Sequence, residues 1–141
     1  MKRMVITLYI AVAVLFLLPH AALAKNYVKP DVFKQWITSN RSIVIVDIQP
    51  AKEFENHHFK GSIETNAFPS KSDAEKRRLD NVIPKIQASK GEVVIICPKG
   101  KGGAVNTYEY LQSKGVPESR LFILEGGIES WPYPGMYVRG R

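Results

Sequence analysis

The residue best placed to do chemistry is Cys97, the one cysteine of the chain, followed by Pro98-Lys99-Gly100-Lys101-Gly102-Gly103-Ala104. Before it runs Glu92-Val93-Val94-Ile95-Ile96, a β-branched stretch that reads as a buried strand, and after the glycines a helical pattern begins. Ligands of parallel α/β sheets gather at the carboxyl ends of strands. A glycine-rich turn there lets successive backbone N–H groups point inward as an anion nest, and the following helix N-terminus adds positive potential. Those amides, together with Lys99 and Lys101, favour the thiolate form of Cys97. The expected assembly is therefore a nucleophile, Cys97, in an anion cradle formed by Pro98, Lys99, Gly100, Lys101, Gly102 and Gly103. A free cysteine is more often an inert buried thiol. Its place at a strand end, beside three loop glycines and two lysines, reverses that preference. No Ser or Thr follows Gly-Lys as a Walker A loop needs, and the glycine spacing does not fit a dinucleotide fingerprint.

Three short apolar runs must carry this loop: Ile43–Asp47, Glu92–Ile96 and Leu121–Leu124, the last ending at Gly126-Gly127. Between them lie helical patterns. Val32, Phe33, Trp36 and Ile37 keep helical spacing after Pro30, which suits a first turn, and predict a helix over 30–39. Val105, Tyr108 and Leu111 form another helical face, with Gly115 placed to stop it. Between Lys71 and Lys90, Leu79, Val82, Ile83 and Ile86 keep helical spacing while Pro84 interrupts it, so two short helices are expected. Strand and helix alternate, the mark of an α/β fold whose parallel sheet has helices on both faces.

The composition fits one such domain: 141 residues, 45% apolar and 10% aromatic, far from a disordered chain. Twenty Lys and Arg against thirteen Asp and Glu make it basic. The positive residues are spread without an aromatic-basic stripe, which suits small anions and argues against nucleic acid. A single cysteine excludes an internal disulfide, and no organic cofactor or structural metal is expected.

Lys2 and Arg3 precede an apolar stretch from Val5 to Leu18, and Ala22-Leu23-Ala24 supplies small residues for a peptidase. Residues 1–24 are expected to be a secretory signal, leaving residues 25–141 as an exported, periplasmic or secreted, monomeric domain. The apolar run, of about 14 residues, is short of the roughly 20 that span a bilayer, so no stable membrane insertion is expected after cleavage. A lone thiol in an oxidising compartment needs protection or a use.

Smaller signals read as scaffold. Adjacent His57 and His58 point differently and lack ligand partners at useful spacing. Trp131 is expected in the core. Asp47, at a strand end, is expected to hydrogen-bond nearby backbone rather than transfer protons. Glu75-Lys76-Arg77-Arg78 reads as a solvated helix face.

Together these segments resemble the rhodanese family of sulfurtransferases, from about Lys29 to Trp131. Ile43–Asp47 is similar to the family's first buried strand, and Glu53-Phe54 with His58-Phe59-Lys60-Gly61-Ser62-Ile63 to its Glu-aromatic and His-Ile-x-Gly-Ala stretch. The loop at Cys97 is the third match, and Gly126-Gly127-Ile128-Glu129-Ser130-Trp131 resembles the Gly-Gly-Ile-x-x-Trp signature. The resemblance implies a rhodanese-like, five-stranded parallel sheet. It also implies a cysteine persulfide formed on Cys97 from a sulfane donor such as thiosulfate, then passed to cyanide or a thiol. Three departures stand out. Gln49 occupies the place where the family often has Arg, so an ion pair expected there is missing; the Cys97 loop also lacks the family's frequent arginine and runs one residue longer. Related phosphatases hold phosphate with an Arg at the position of Gly103, which argues against ester hydrolysis or arsenate reduction. The rival from another class is a sulfur-carrier or anion-binding module with little turnover of its own.

Overall fold

A computed structural model describes residues 24–141. The expected signal segment, apart from Ala24, lies outside the described residues. Five parallel strands, β1 (Tyr27–Val28), β2 (Ile43–Asp47), β4 (Ile63–Glu64), β5 (Glu92–Ile96) and β6 (Leu121–Leu124), form one sheet in the order β1-β6-β5-β2-β4. β5 is central, pairing Val44 of β2 with Val93 and, on its other side, Val94 with Phe122 of β6. Val93, Val94, Ile95 and Ile96 are all fully buried, which is why this strand reads as an unbroken apolar run rather than an alternation.

The two faces divide by residue parity. Val93 and Ile95 join Leu79, Ile86, Tyr108 and Leu111 under α4 (Ile83–Ala88), α5 (Gly102–Ser113) and the 3₁₀ stretch that follows α3 (Asp73–Arg77), α3 itself burying no residue. Val94 and Ile96 pack with Phe33 of α1 (Pro30–Thr38), Phe59 and Trp131 on the opposite face. Trp131 takes the expected core place: its ring meets Phe33 and Phe59 edge to face, and its Nε1 donates to the Tyr133 carbonyl at 2.9 Å. A small antiparallel ribbon, β3 (His58–Phe59) with β7 (Tyr137–Val138), closes this side.

The segment before β5 departs from expectation. It forms α3, a 3₁₀ stretch Arg78–Val82, and α4 in direct succession, so three pieces replace two. Pro84 starts α4 instead of interrupting a helix, because a first-turn position needs no N–H bond. Glu75, expected only as part of a solvated face, closes a capping box with Ser72. α5 ends where expected, with Gly115 at φ +92°.

Candidate active site

Cys97 follows β5 immediately and is 1% exposed. Its side chain closes the helical face of the core, while its carbonyl accepts the Ile128 N–H at 2.9 Å and the Pro98 carbonyl accepts the Glu129 N–H at 3.0 Å. The turn after β6 thus continues the parallel ladder into the loop and fixes its first two residues. Gly100 then turns back at φ +66° and donates its N–H to Cys97 Sγ at 2.9 Å. A Cβ on Gly100 would lie 2.6 Å from the Leu124 carbonyl oxygen and 2.8 Å from the Gly127 nitrogen. Gly127, at φ +65°, has no more room. The paired glycines of the sequence signature are therefore the floor on which the Cys97 loop rests.

Above that floor lies a cleft of about 540 Å³. Of the residues expected to form the cradle, Cys97, Pro98, Lys99, Lys101, Gly102 and Gly103 line it. Gly100 does not; it is buried beneath, its amide on the sulfur. Among the described residues the amides of Lys99, Lys101, Gly102 and Gly103 have no protein acceptor, and the 12-residue α5 starts at Gly102. Unpaired amides and a helix N-terminus beside Cys97 make an environment suited to a bound anion. Lys99 and Lys101 are exposed and form no ion pair among the described residues.

The rest of the wall was not assigned to the site from sequence: Gln49, Pro50, Glu53, His57, Phe68, Ile128 and Glu129. Ile128 and Glu129 lie within the Gly-Gly signature and Glu53 within the Glu-aromatic stretch, so a signal existed for those three; Phe68 carries none. Gln49, where an ion pair was expected to be missing, keeps Asp47 bonded by other means. Its backbone N–H reaches Asp47 Oδ1 at 2.9 Å, and its Nε2 donates to Asp47 Oδ2 at 3.0 Å and to the His57 carbonyl at 3.2 Å. His58 is scaffold as read, stacked on Phe54 with Nδ1–H donating to the Phe54 carbonyl at 2.8 Å. A Cβ at Gly103 would come within 2.9 Å of the Phe68 ring, so the place of a phosphatase arginine is filled by an aromatic edge.

Burial pushes the Asp47 carboxyl up to about 7, against the lowering effect of the two Gln49 hydrogen bonds, with Glu64 adding to the rise. The folded state therefore holds this proton more tightly than the unfolded chain. The associated stability is full below the ordinary carboxylate value and is lost as pH rises through about 7. Asp47→Asn, which keeps an acceptor for the Gln49 amide, is expected to flatten this dependence. In urea denaturation the wild type should lose on the order of 2 kcal/mol relative to the variant between about pH 5 and pH 8. Parallel profiles for the two proteins would show that Asp47 stays ionised throughout.

The wider comparisons agree with this geometry. A rhodanese-related protein from Thermoplasma volcanium superposes with a TM-score of 0.59 at 19% identity, over 80% of this chain and 97% of that one. A Saccharomyces cerevisiae protein described as a homolog of single-domain rhodanese and of the Cdc25 phosphatase catalytic domain gives 0.60 at 18%, over 77% and 81%. The As-Sb reductase from Leishmania major gives 0.61 at 15%, over 82% and 86%. At such identities the likeness is one of fold. No curated protein sequence matches the chain. The family description "Rhodanese-like domain" matches residues 29–132, from the residue before α1 to the one after Trp131. With the Cys97 loop at the end of β5 and the double glycine beneath it inside that span, the chain belongs to the rhodanese-like domain family.

Proposed function

We infer that the protein is a thiosulfate-type sulfurtransferase that carries a sulfane sulfur on Cys97, exported to the periplasm or secreted. The observation that carries this reading is the Cys97 sulfur held by the Gly100 amide at the base of a loop whose other amides have no acceptor among the described residues. Cys97 thiolate attacks the outer sulfur of thiosulfate; the S–S bond of the donor breaks, its electron pair leaves with sulfite, and Cys97 persulfide remains. Cyanide or a thiolate then takes that sulfur, the Sγ–S electron pair returning to Cys97. Covalent catalysis splits one displacement into two, and the loop amides stabilise negative sulfur in both. No redox partner is needed. The aromatic edge at Gly103 leaves no guanidinium fork for a phosphoryl group, which disfavours the phosphatase chemistry named for some structural neighbours.

The decisive experiment is the intact mass of the protein before and after thiosulfate and again after cyanide. A gain of one sulfur (~32 Da) that cyanide removes is expected for a persulfide intermediate. No gain would sink the thiosulfate reading. A gain without appreciable turnover would make the protein a sulfur carrier. Lys99→Ala with Lys101→Ala should raise the thiosulfate concentration for half-maximal loading by about five- to tenfold at low salt and flatten its ionic-strength dependence. An unchanged salt dependence would assign donor recognition to the backbone amides alone.

A further inference from the structure

The cleft is larger and chemically more mixed than thiosulfate and cyanide require. Its roughly 540 Å³ lies in the range of sites for organic ligands, about 300–1,000 Å³. The loop amides, Lys99 and Lys101 are donors, and they serve an anion. Of the remaining polar side chains of the wall, Gln49, Glu53 and Glu129 offer acceptors, and His57 an imidazole that can donate as well as accept. Gln49 is 1% exposed, and its Nε2 is fixed by two acceptors, Asp47 Oδ2 and the His57 carbonyl. That orientation leaves Oε1 without a hydrogen bond among the described residues, on a side chain that lines the cleft. Glu53 and Glu129 stand at the rim, and neither is ion-paired with Lys99, Lys101 or any other described residue. Phe68, 39% exposed, adds an aromatic surface of the kind that also receives cations.

We propose that these groups, Gln49 Oε1 with the carboxylates of Glu53 and Glu129, select as sulfur acceptor an organic thiol bearing a cationic amino group. This rests on the sulfurtransferase reading above. The loop first binds the anionic donor, and sulfite leaves. The aminothiol then enters with its ammonium toward the acceptor groups and its sulfur toward Cys97 persulfide. Its thiolate attacks the outer sulfur; a new S–S bond forms on the acceptor, the Sγ–S bond breaks, and the electron pair returns to Cys97.

Two charge-matched comparisons test this on the wild type and on Glu53→Gln with Glu129→Gln. Both are changes of exposed residues that leave the fold in place. The first labels Cys97 with cationic aminoethyl or anionic sulfonatoethyl methanethiosulfonate, which needs no sulfane sulfur. The second discharges the persulfide form, verified by mass, with cysteamine or mercaptoacetate at equal thiolate concentration. The cation-to-anion rate ratio is expected to fall about tenfold in the variant in both comparisons at low salt, and the difference to shrink near 1 M salt. A ratio unchanged by the substitutions, with the persulfide forming normally, overturns the acceptor assignment and leaves sulfur transfer standing. A wild type that labels with the expected ratio but never gains sulfur from any sulfane donor overturns the sulfurtransferase reading, and the assignment of an acceptor with it.

Discussion

Cys97→Ser is expected to show no mass gain after thiosulfate and to lower sulfur transfer by at least about 10³-fold, while unfolding within about 1 kcal/mol of the wild type. The loss follows from chemistry. A serine hydroxyl is not ionised at neutral pH and forms no persulfide, so the first displacement has no nucleophile. The retained fold follows from structure. Sγ accepts the Gly100 N–H at 2.9 Å, and a hydroxyl oxygen of similar size accepts the same bond. The carbonyl contacts that hold the loop, Ile128 N–H to Cys97 and Glu129 N–H to Pro98, are backbone contacts that the substitution does not touch. Loss of transfer with an unchanged unfolding curve would separate a chemical role from a packing one. Persistent loading in the variant would remove Cys97 from the mechanism, and a collapse of stability would mean that the thiol is chiefly a core residue.

The parts of this site that could be read from sequence share one property: they are continuous in the chain. β2, β5 and β6 announce themselves because strands buried on both faces must be apolar throughout, and the Cys97 loop follows β5 without a break. The facing wall is assembled from α2 (Ala51–Asn56), its flanking residues and Phe68, which the β2–β4 pairing brings over the cleft. No local periodicity encodes that approach. β1, β3, β4 and β7 are two residues each, too short for an alternation to register. Gln49 is instructive in another way. By residue type it looked like the loss of a charge partner, whereas the fold uses the backbone and side-chain N–H groups of the same residue to satisfy both Asp47 oxygens. The misreading of Pro84 has the same origin: proline excludes an N–H bond but not a helix, and which of its two meanings applies depends on where the preceding turn ends.

Gly127→Ala, in the turn beneath the Cys97 loop, is expected to be the most damaging single methyl at the active site. Its φ of +65° already disfavours any side chain, at a cost of about 1–3 kcal/mol. Its Cβ would also sit 2.4 Å from the Pro98 carbonyl oxygen and 2.5 Å from both the Cys97 carbonyl oxygen and the Gly100 nitrogen, all backbone atoms that no rotamer change can move aside. Overpacking of this kind adds about 1–3 kcal/mol, so a total loss of roughly 2–6 kcal/mol is expected in urea denaturation. The loop can relieve the clash only by lifting away from the turn, which would stretch the Gly100 bond to Cys97 Sγ and disperse the amides of the cradle. Sulfur loading per folded molecule should therefore fall as well, beyond the loss of folded protein. Gly102→Ala is the control. Its Cβ meets nothing within 4 Å, and a helix-start alanine costs little, so its stability should remain within about 0.5 kcal/mol of the wild type. Equal stability of the two variants would show that the turn after β6 yields freely, and that the double glycine is not what holds the Cys97 loop in place.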